Sequence, residues 1–295
     1  MSELVVTAPA KINLFLGVGS PRPDGFHEVI TVMHSLELAD TVRLRPADEL
    51  AVTCDADLGI PAEDNLAYRA ARQFSETYGV DVLVDIEIEK RIPAGAGLGG
   101  GSADAAAVLA GLAHWAALPL DHSALVAIAR SLGADCAFVL LGGPALMRGR
   151  GDEFVRPLPA ISAEVVLVKP DASVPTAAAY RAFDASPVAV GAASGVADAL
   201  RFRDRAALAA GLSNNLTAAA ESLVPEIAAV RAWLGEQEGV AGVLLAGSGS
   251  AVFALCEDRE SAEQAARGAR ERGWWAVATQ TRPSGVEVAE EGADG

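Results

Sequence analysis

The stretch from Pro93 to Ala107 constrains the fold of this chain more than any other, because five of its residues within seven positions are glycine (Gly95, Gly97, Gly99, Gly100, Gly101). Before it, Val82, Val84, Ile86 and Ile88 alternate with Asp85, Glu87 and Glu89, the period-two pattern of a half-buried strand. After it, Ser102 and the alanines 103, 106, 107, 110 and 113 predict a helix with Ser102 near its N-cap. Strand, glycine loop and helix start, in that order, predict an anion site. Backbone N–H groups with no side chain in the way close on phosphate oxygens, and the positive end of the helix dipole faces the same point. The whole run from Pro93, Ala94, Gly95, Ala96 and Gly97 through Leu98, Gly99, Gly100 and Gly101 to Ser102 is therefore the candidate cradle. A glycine-rich turn that only lets two backbones pack closely is the bland alternative.

Known phosphate loops fit it unevenly. Gly95, Gly97 and Gly100 satisfy G-x-G-x-x-G, but a dinucleotide fold needs an acidic residue at a strand end about 20 positions on. The acid in that region, Asp121, instead opens the helical run His122–Arg130. No lysine follows the glycines as a P-loop requires, and neither His-Arg-Asp nor Asp-Phe-Gly occurs. The cradle is of another lineage.

At 295 residues, 51% hydrophobic and 21% charged, the chain predicts a globular protein of two ordinary domains. A formal charge of −16 argues against nucleic acid, which needs a cationic footprint. No apolar run reaches transmembrane length and the opening Met-Ser-Glu-Leu-Val-Val-Thr lacks the pattern of a secretory leader, so no membrane partner and a cytoplasmic location are expected. Three scattered cysteines (Cys54, Cys136, Cys256) predict neither disulfides nor a zinc site, and the four histidines do not cluster with carboxylates or thiols. Mg²⁺ arriving with a nucleotide is the expected metal. Monomer and homodimer both stay open.

Strands are expected over 4–18, broken by Pro9, and over 29–45 as one or two segments. Asp64-Asn65 opens a helix closed by Gly79, composition marks a boundary near 149–163, and Val165–Lys169 starts the second half with a strand. Residues 184–198 read as a surface loop, 217–235 and 258–272 as helices, and Leu244–Leu255 as a second glycine loop leading into a strand. The acidic tail from Glu287 is expected to fray. Strands and helices interleave without a regular βαβ rhythm, so the class is α+β.

Three blocks stand in order: Pro9-Ala-Lys-Ile-Asn-Leu-Phe-Leu16, the 93–107 loop, and Ala246-Gly-Ser-Gly-Ser-Ala-Val-Phe253. In them the chain resembles the GHMP kinase superfamily. Asp24-Gly-Phe-His27, Glu63-Asp-Asn-Leu66, Gly133-Ala-Asp135 and Pro175-Thr176 with Tyr180 are similar to the branch acting on 4-diphosphocytidyl-2-C-methyl-D-erythritol (CDP-methylerythritol) in non-mevalonate isoprenoid synthesis. The resemblance implies a ribosomal-protein-S5-like N-terminal domain (1–157), a C-terminal ferredoxin-like α/β plait (158–286), and a flexible acidic tail (287–295) outside it. It also implies transfer of the γ-phosphoryl group of ATP, with Mg²⁺, to the substrate's 2-hydroxyl.

Residue by residue, the resemblance makes Asp135 the group that takes the proton or orients the hydroxyl, and Lys11 its partner. A carboxylate entering the apolar run Cys136–Leu141 is costly unless paired or working, which agrees. Asn65 and Lys90 match positions near the adenine, and Ser102 is the one side chain offered to phosphate or Mg²⁺. Asn13, Phe26, His27, Thr176 and Tyr180, with Gly247, Ser248 and Gly249, match the substrate side. Ala103, Ala137, Met147-Arg148 and Asn215 depart from the family pattern. Another alcohol acceptor (homoserine, mevalonate, a sugar), a catalytically silent ligand-binding member, and a NAD-binding oxidoreductase are the rival readings.

Overall fold

The chain begins with two strands much longer than the usual three to ten residues, β1 (Leu4–Pro21) and β2 (His27–Pro46), paired antiparallel. In the computed structural model, which describes residues 2–57, 59–189 and 191–290, there follow β3 (Ala51–Cys54), α1 (Leu66–Tyr78), β4 (Val84–Glu89), α2 (Gly100–Trp115), α3 (Ser123–Leu132), α4 (Ala134–Leu141), β5 (Ala145–Arg148) and β6 (Glu153–Pro157). The second half contains β7 (Glu164–Lys169), α5 (Thr176–Ala185), α6 (Ser194–Phe202), α7 (Arg205–Gly211), β8 (Ser213–Asn214), α8 (Thr217–Leu223) and α9 (Glu226–Gly235). It closes with β9 (Val240–Leu245), β10 (Val252–Cys256), α10 (Arg259–Glu271), β11 (Trp275–Arg282) and β12 (Glu287–Glu290).

Pro9 does not break β1. The strand absorbs a residue without an N–H at a bulge, where the register slips between Pro9 and Lys11. The Lys11 N–H there leaves the ladder and donates to Leu98 O at 3.0 Å, tying the strand to the glycine loop. The 29–45 region is one strand, not two, and β2 also pairs with β4 and β5.

Four strands of the second half form an antiparallel sheet in the order β11-β7-β10-β9, while β8 and β12 pair with β1. Counted among those four this is order 4-1-3-2, with helices between the first and second strands and between the third and fourth. That is the split βαβ topology of a ferredoxin-like plait. Its core packs valines 166, 168 and 252 against Ile227, Val230 and the alanines of α10. β11 joins the two halves by pairing Thr281 and Arg282 with Leu36 and Ser35. The chain is thus α+β, as expected.

The larger core lies between the first-half sheet and α1–α4 and continues through Val165, Leu167 and Phe253 to α6 and α7. α2 is buried almost all round, and its run of alanines keeps it thin enough to pass over the sheet. A Cβ on Gly111 would already touch Leu44 at 3.0 Å. Asn65 caps α1 by accepting from Ala67 N–H, and Gly79 ends it in a left-handed conformation.

Three other expectations change. Pro225 splits the 217–235 segment into α8 and α9, since it lacks an N–H to continue the helix. The expected 184–198 loop is shorter at both ends, since α5 runs through Ala185 and α6 begins at Ser194. Glu287–Glu290, expected as frayed tail, pair antiparallel with Leu4–Thr7 of β1. Backbone pairing outweighs acidic composition there, and the remainder of the expected tail lies outside the described residues. Among the described residues no helix is long and apolar enough to cross a membrane.

Candidate active site

The bulge at Lys11 decides where its side chain goes. Lys11 is buried, and its Nζ lies 3.1 Å from Asp135 Oδ2 and donates to Asn13 Oδ1 at 2.9 Å. Asn13 Nδ2 donates to Thr31 Oγ1 (2.8 Å), whose hydroxyl donates to Phe15 O (2.6 Å). The ammonium is held at the end of a satisfied chain of buried polar groups. Asp135 stands in the first turn of α4, where the helix dipole favours a carboxylate, and remains partly exposed.

The glycine loop wraps this pair. Gly95, Gly97 and Gly99 take left-handed φ values of +64°, +76° and +77°. The residues between them, Ala96 and Leu98, turn inward and anchor the loop. A Cβ on Gly99 would meet Lys11 Cγ at 3.1 Å and Asp135 Oδ2 at 3.6 Å, so the loop lies directly against the charged pair. The N-cap of α2 is Gly99, not Ser102, which falls within the first turn. The exposed Gly101 and partly exposed Ser102 present the helix start to solvent. The Ser102 hydroxyl sits at the start of α4, beside Gly133 and the Cys136 thiol.

The second glycine loop docks onto the first. Ser250 N–H donates to Gly95 O (3.2 Å) and Ala251 N–H to Ala96 O (3.0 Å). Gly247 leaves room for Lys11, whose Nζ would be 3.4 Å from a Cβ there. Asn214 fixes the loop from below, donating to Leu245 O (3.0 Å) and Gly247 O (2.7 Å). Asn215 explains its own departure from the family pattern: it accepts from Val18 N–H and donates to Val18 O and Val188 O, and an aspartate cannot make the two donations.

Lys11, Asn13, Asp135, Gly97, Gly99, Thr176, Tyr180, Gly247 and Ser248 line one cavity of about 290 Å³. Thr176 and Ser248 hydroxyls meet at 3.0 Å across it. Burial first, then the charge of Asp135, pushes the Tyr180 phenol up to about 12, so it stays neutral. Next to it lies a cavity of about 660 Å³ lined by Phe26, His27 and Tyr180. Phe26 is half exposed, with the Arg150 guanidinium 4.9 Å above its ring, so it is a face offered to the cavity rather than core. Arg150 lines both cavities and is braced by Asp152 at 2.9 Å. Sequence reading missed Arg130, Arg150 and Asp184 on this wall, because no motif surrounds them.

Of the predicted cradle only Gly97 and Gly99 line either cavity, and three predicted residues outside the cradle line neither. Gly249 lines neither, serving the turn with φ +90°. Asn65 Oδ1 is committed to its cap. The Lys90 side chain is largely covered, its Nζ donating to Asp40 and, at 2.7 Å, to Asp104. Asp40 also accepts from the Arg91 and Ile92 N–H groups at 2.6 and 2.8 Å. Burial would lower the Lys90 pKa, but Asp104 and Asp40 together raise it. Asp104 is the second carboxylate on one ammonium: burial pushes it up to about 7 against the pull of Lys90. The triad sits behind the cradle, where a Cβ on Gly100 would lie 3.2 Å from Lys90 Nζ.

Family models for the GHMP kinases N terminal domain and the GHMP kinases C terminal match residues 65–143 and 196–273. A 4-diphosphocytidyl-2-C-methyl-D-erythritol kinase of Pelotomaculum thermopropionicum is 43% identical over 89% of this chain and 93% of its own length. The chain belongs to this GHMP kinase family. Its relatives include the enzyme of that name from Gloeobacter violaceus, 41% identical over 89% of each chain. A crystal structure of 4-(cytidine 5'-diphospho)-2C-methyl-D-erythritol kinase superposes with a TM-score of 0.78 at 38% identity, covering 94% of this chain and 98% of the other. Homoserine kinase from Cytophaga hutchinsonii, at 20% identity and a TM-score of 0.77, shares the fold.

Proposed function

We propose that this chain transfers the γ-phosphoryl group of ATP to the 2-hydroxyl of CDP-methylerythritol, giving the 2-phosphate and ADP. The observation that carries the reading is the Lys11–Asp135 pair, 3.1 Å apart, lying between a glycine cradle and a cavity walled by aromatics. Phosphoryl transfer asks a protein mainly for alignment and charge compensation. The cradle and the N-terminus of α2 take the ATP phosphates. Asp135 faces the acceptor hydroxyl, orients it and receives its proton, while Lys11 holds the carboxylate in place and offsets charge on the moving phosphoryl group. Phe26 and Tyr180 offer the cytosine two flat surfaces and His27 an edge. Arg150, at the junction of the cavities, supplies a cation where the diphosphate must pass.

Among the described residues no group of three or more His, Cys, Asp or Glu side chains is placed to hold a metal. The donors beside the cradle are a hydroxyl, Ser102, and a carboxylate, Asp135. That sparse oxygen set fits Mg²⁺, which keeps most of its ligands from phosphates and water. Bound with ATP it neutralises phosphate charge.

Release of ADP from Mg²⁺-ATP, measured with CDP-methylerythritol beside homoserine, mevalonate and galactose, tests the reading. Turnover confined to the cytidine substrate is expected. Turnover with another alcohol instead discards the cytidine assignment, and no ADP from any acceptor discards catalysis.

A further inference from the structure

His27 opens β2 on the wall of the larger cavity and is 8% exposed. Two rings from α5 hold its plane: Tyr180, with centroids 5.0 Å apart and tilted 46°, and Phe183, edge-on at 6.3 Å. Its Nε2 lies 2.7 Å from Oδ1 of Asp184, in the last turn of the same helix. An ionised carboxylate only accepts, so in the neutral ring Nε2 carries the proton. Nδ1 has no hydrogen-bond partner among the described residues and in that tautomer keeps a free lone pair. The other nitrogen-bearing side chains lining this cavity, Arg130, Arg150 and Arg181, can only donate.

We propose that Asp184 is a positioning residue that fixes the tautomer of His27 and so makes the cavity select a base with an amino group over one with a carbonyl at the same place. The proposal rests on the cytidine reading above and deepens it. Cytosine presents its N4 amino group as a donor, and uracil puts the O4 acceptor there. The Nδ1 lone pair takes a hydrogen bond from the first and opposes the second. A site built around one hydrogen bond rejects the analogue that leaves its buried partner unpaired. Without Asp184 the ring is free to move its proton to Nδ1, and the same nitrogen then donates to uracil O4. The residue carries no motif. Its signal is its place four residues after Tyr180, on the same face of α5.

The test is kcat/KM at pH 8 for CDP-methylerythritol and its uridine counterpart, in wild type, Asp184→Ala and Asp184→Asn. Wild type is expected to prefer the cytidine substrate by on the order of 100-fold. Asp184→Ala should lose about tenfold of that preference through KM for the cytidine substrate, with KM for ATP unchanged. Asp184→Asn should fall between, because its amide either accepts from Nε2–H or donates to Nε2. ¹⁵N imidazole spectra of the free enzyme give a readout independent of turnover: one Nε2–H form in wild type, a mixture in Asp184→Ala. Unchanged preference and an unchanged spectrum in Asp184→Ala would overturn the proposal and leave the substrate reading standing. A wild type that does not phosphorylate the cytidine substrate sinks that reading, and the spectra still decide whether Asp184 holds the ring.

Discussion

Replacing Gly97 with alanine puts a Cβ 2.1 Å from the Ala246 carbonyl oxygen and 3.0 Å from Gly249 N. Both are backbone, so no side chain can swing aside. The φ of +76° adds about 1–2 kcal/mol for any residue with a Cβ. Relieving the contact means parting the two glycine loops, which share the Ser250–Gly95 and Ala251–Ala96 hydrogen bonds. Each contributes about 1 kcal/mol net, so the total loss is about 3–4 kcal/mol. At about 2 °C per kcal/mol this lowers Tm by about 6–8 °C. Gly101→Ala is the control. Its Cβ would meet nothing closer than Leu66 Cδ1 at 3.7 Å, and its φ is not left-handed. Its Tm should therefore hold, while ATP affinity falls, since a methyl then stands at the open start of α2. Calorimetric unfolding and ATP titration of both variants check this. A Gly97→Ala protein with wild-type Tm and ATP affinity would refute the docking of the two loops as the frame of the site.

Lys90→Met leaves Asp40 and Asp104 buried without their cation and should cost about 3–5 kcal/mol in urea unfolding. Asp104 titrates higher in the folded protein, about 7, than its ordinary 3.8. The folded state therefore binds the extra proton between those values, and the stability from this group is lost as pH rises from about 4 to 7. Asp104→Asn should remove that component of the pH slope, which unfolding at a series of pH values measures. Phe26→Ala and Tyr180→Ala should each weaken the cytidine substrate by about 1–3 kcal/mol, the scale of a base–aromatic stack. Unchanged KM in both would return the rings to a packing role.

What was legible in the sequence is local in the chain. The glycine run, the cap at Asn65, the stop at Gly79 and the entry of Asp135 into an apolar segment each announce themselves within a few residues. What was not legible depends on distant pairing. Lys90 meets Asp40 from 50 positions away, and His27 meets Asp184 from 157. No periodicity encodes either. Pro9 reads as a strand breaker, yet two long paired strands outweigh one missing N–H and turn it into the bulge that ties Lys11 to the loop. The acidic composition of Glu287–Glu290 suggested a frayed tail. The free edge of β1, which composition cannot reveal, accepts it instead. The departures at Ala103 and Ala137 fall on fully or almost fully buried positions, where small side chains let helices pack closely.

On the proposed reading Asp135, held by Lys11, works on the acceptor hydroxyl and not on nucleotide binding. The most direct test is Asp135→Asn, which preserves shape and removes charge, in single-turnover phosphorylation of CDP-methylerythritol with ATP binding measured on the same preparation. The chemical step is expected to slow by about 10²–10⁴-fold, the usual scale of a positioned proton acceptor, with ATP affinity unchanged. Near-normal turnover, or a loss confined to ATP affinity, would contradict it.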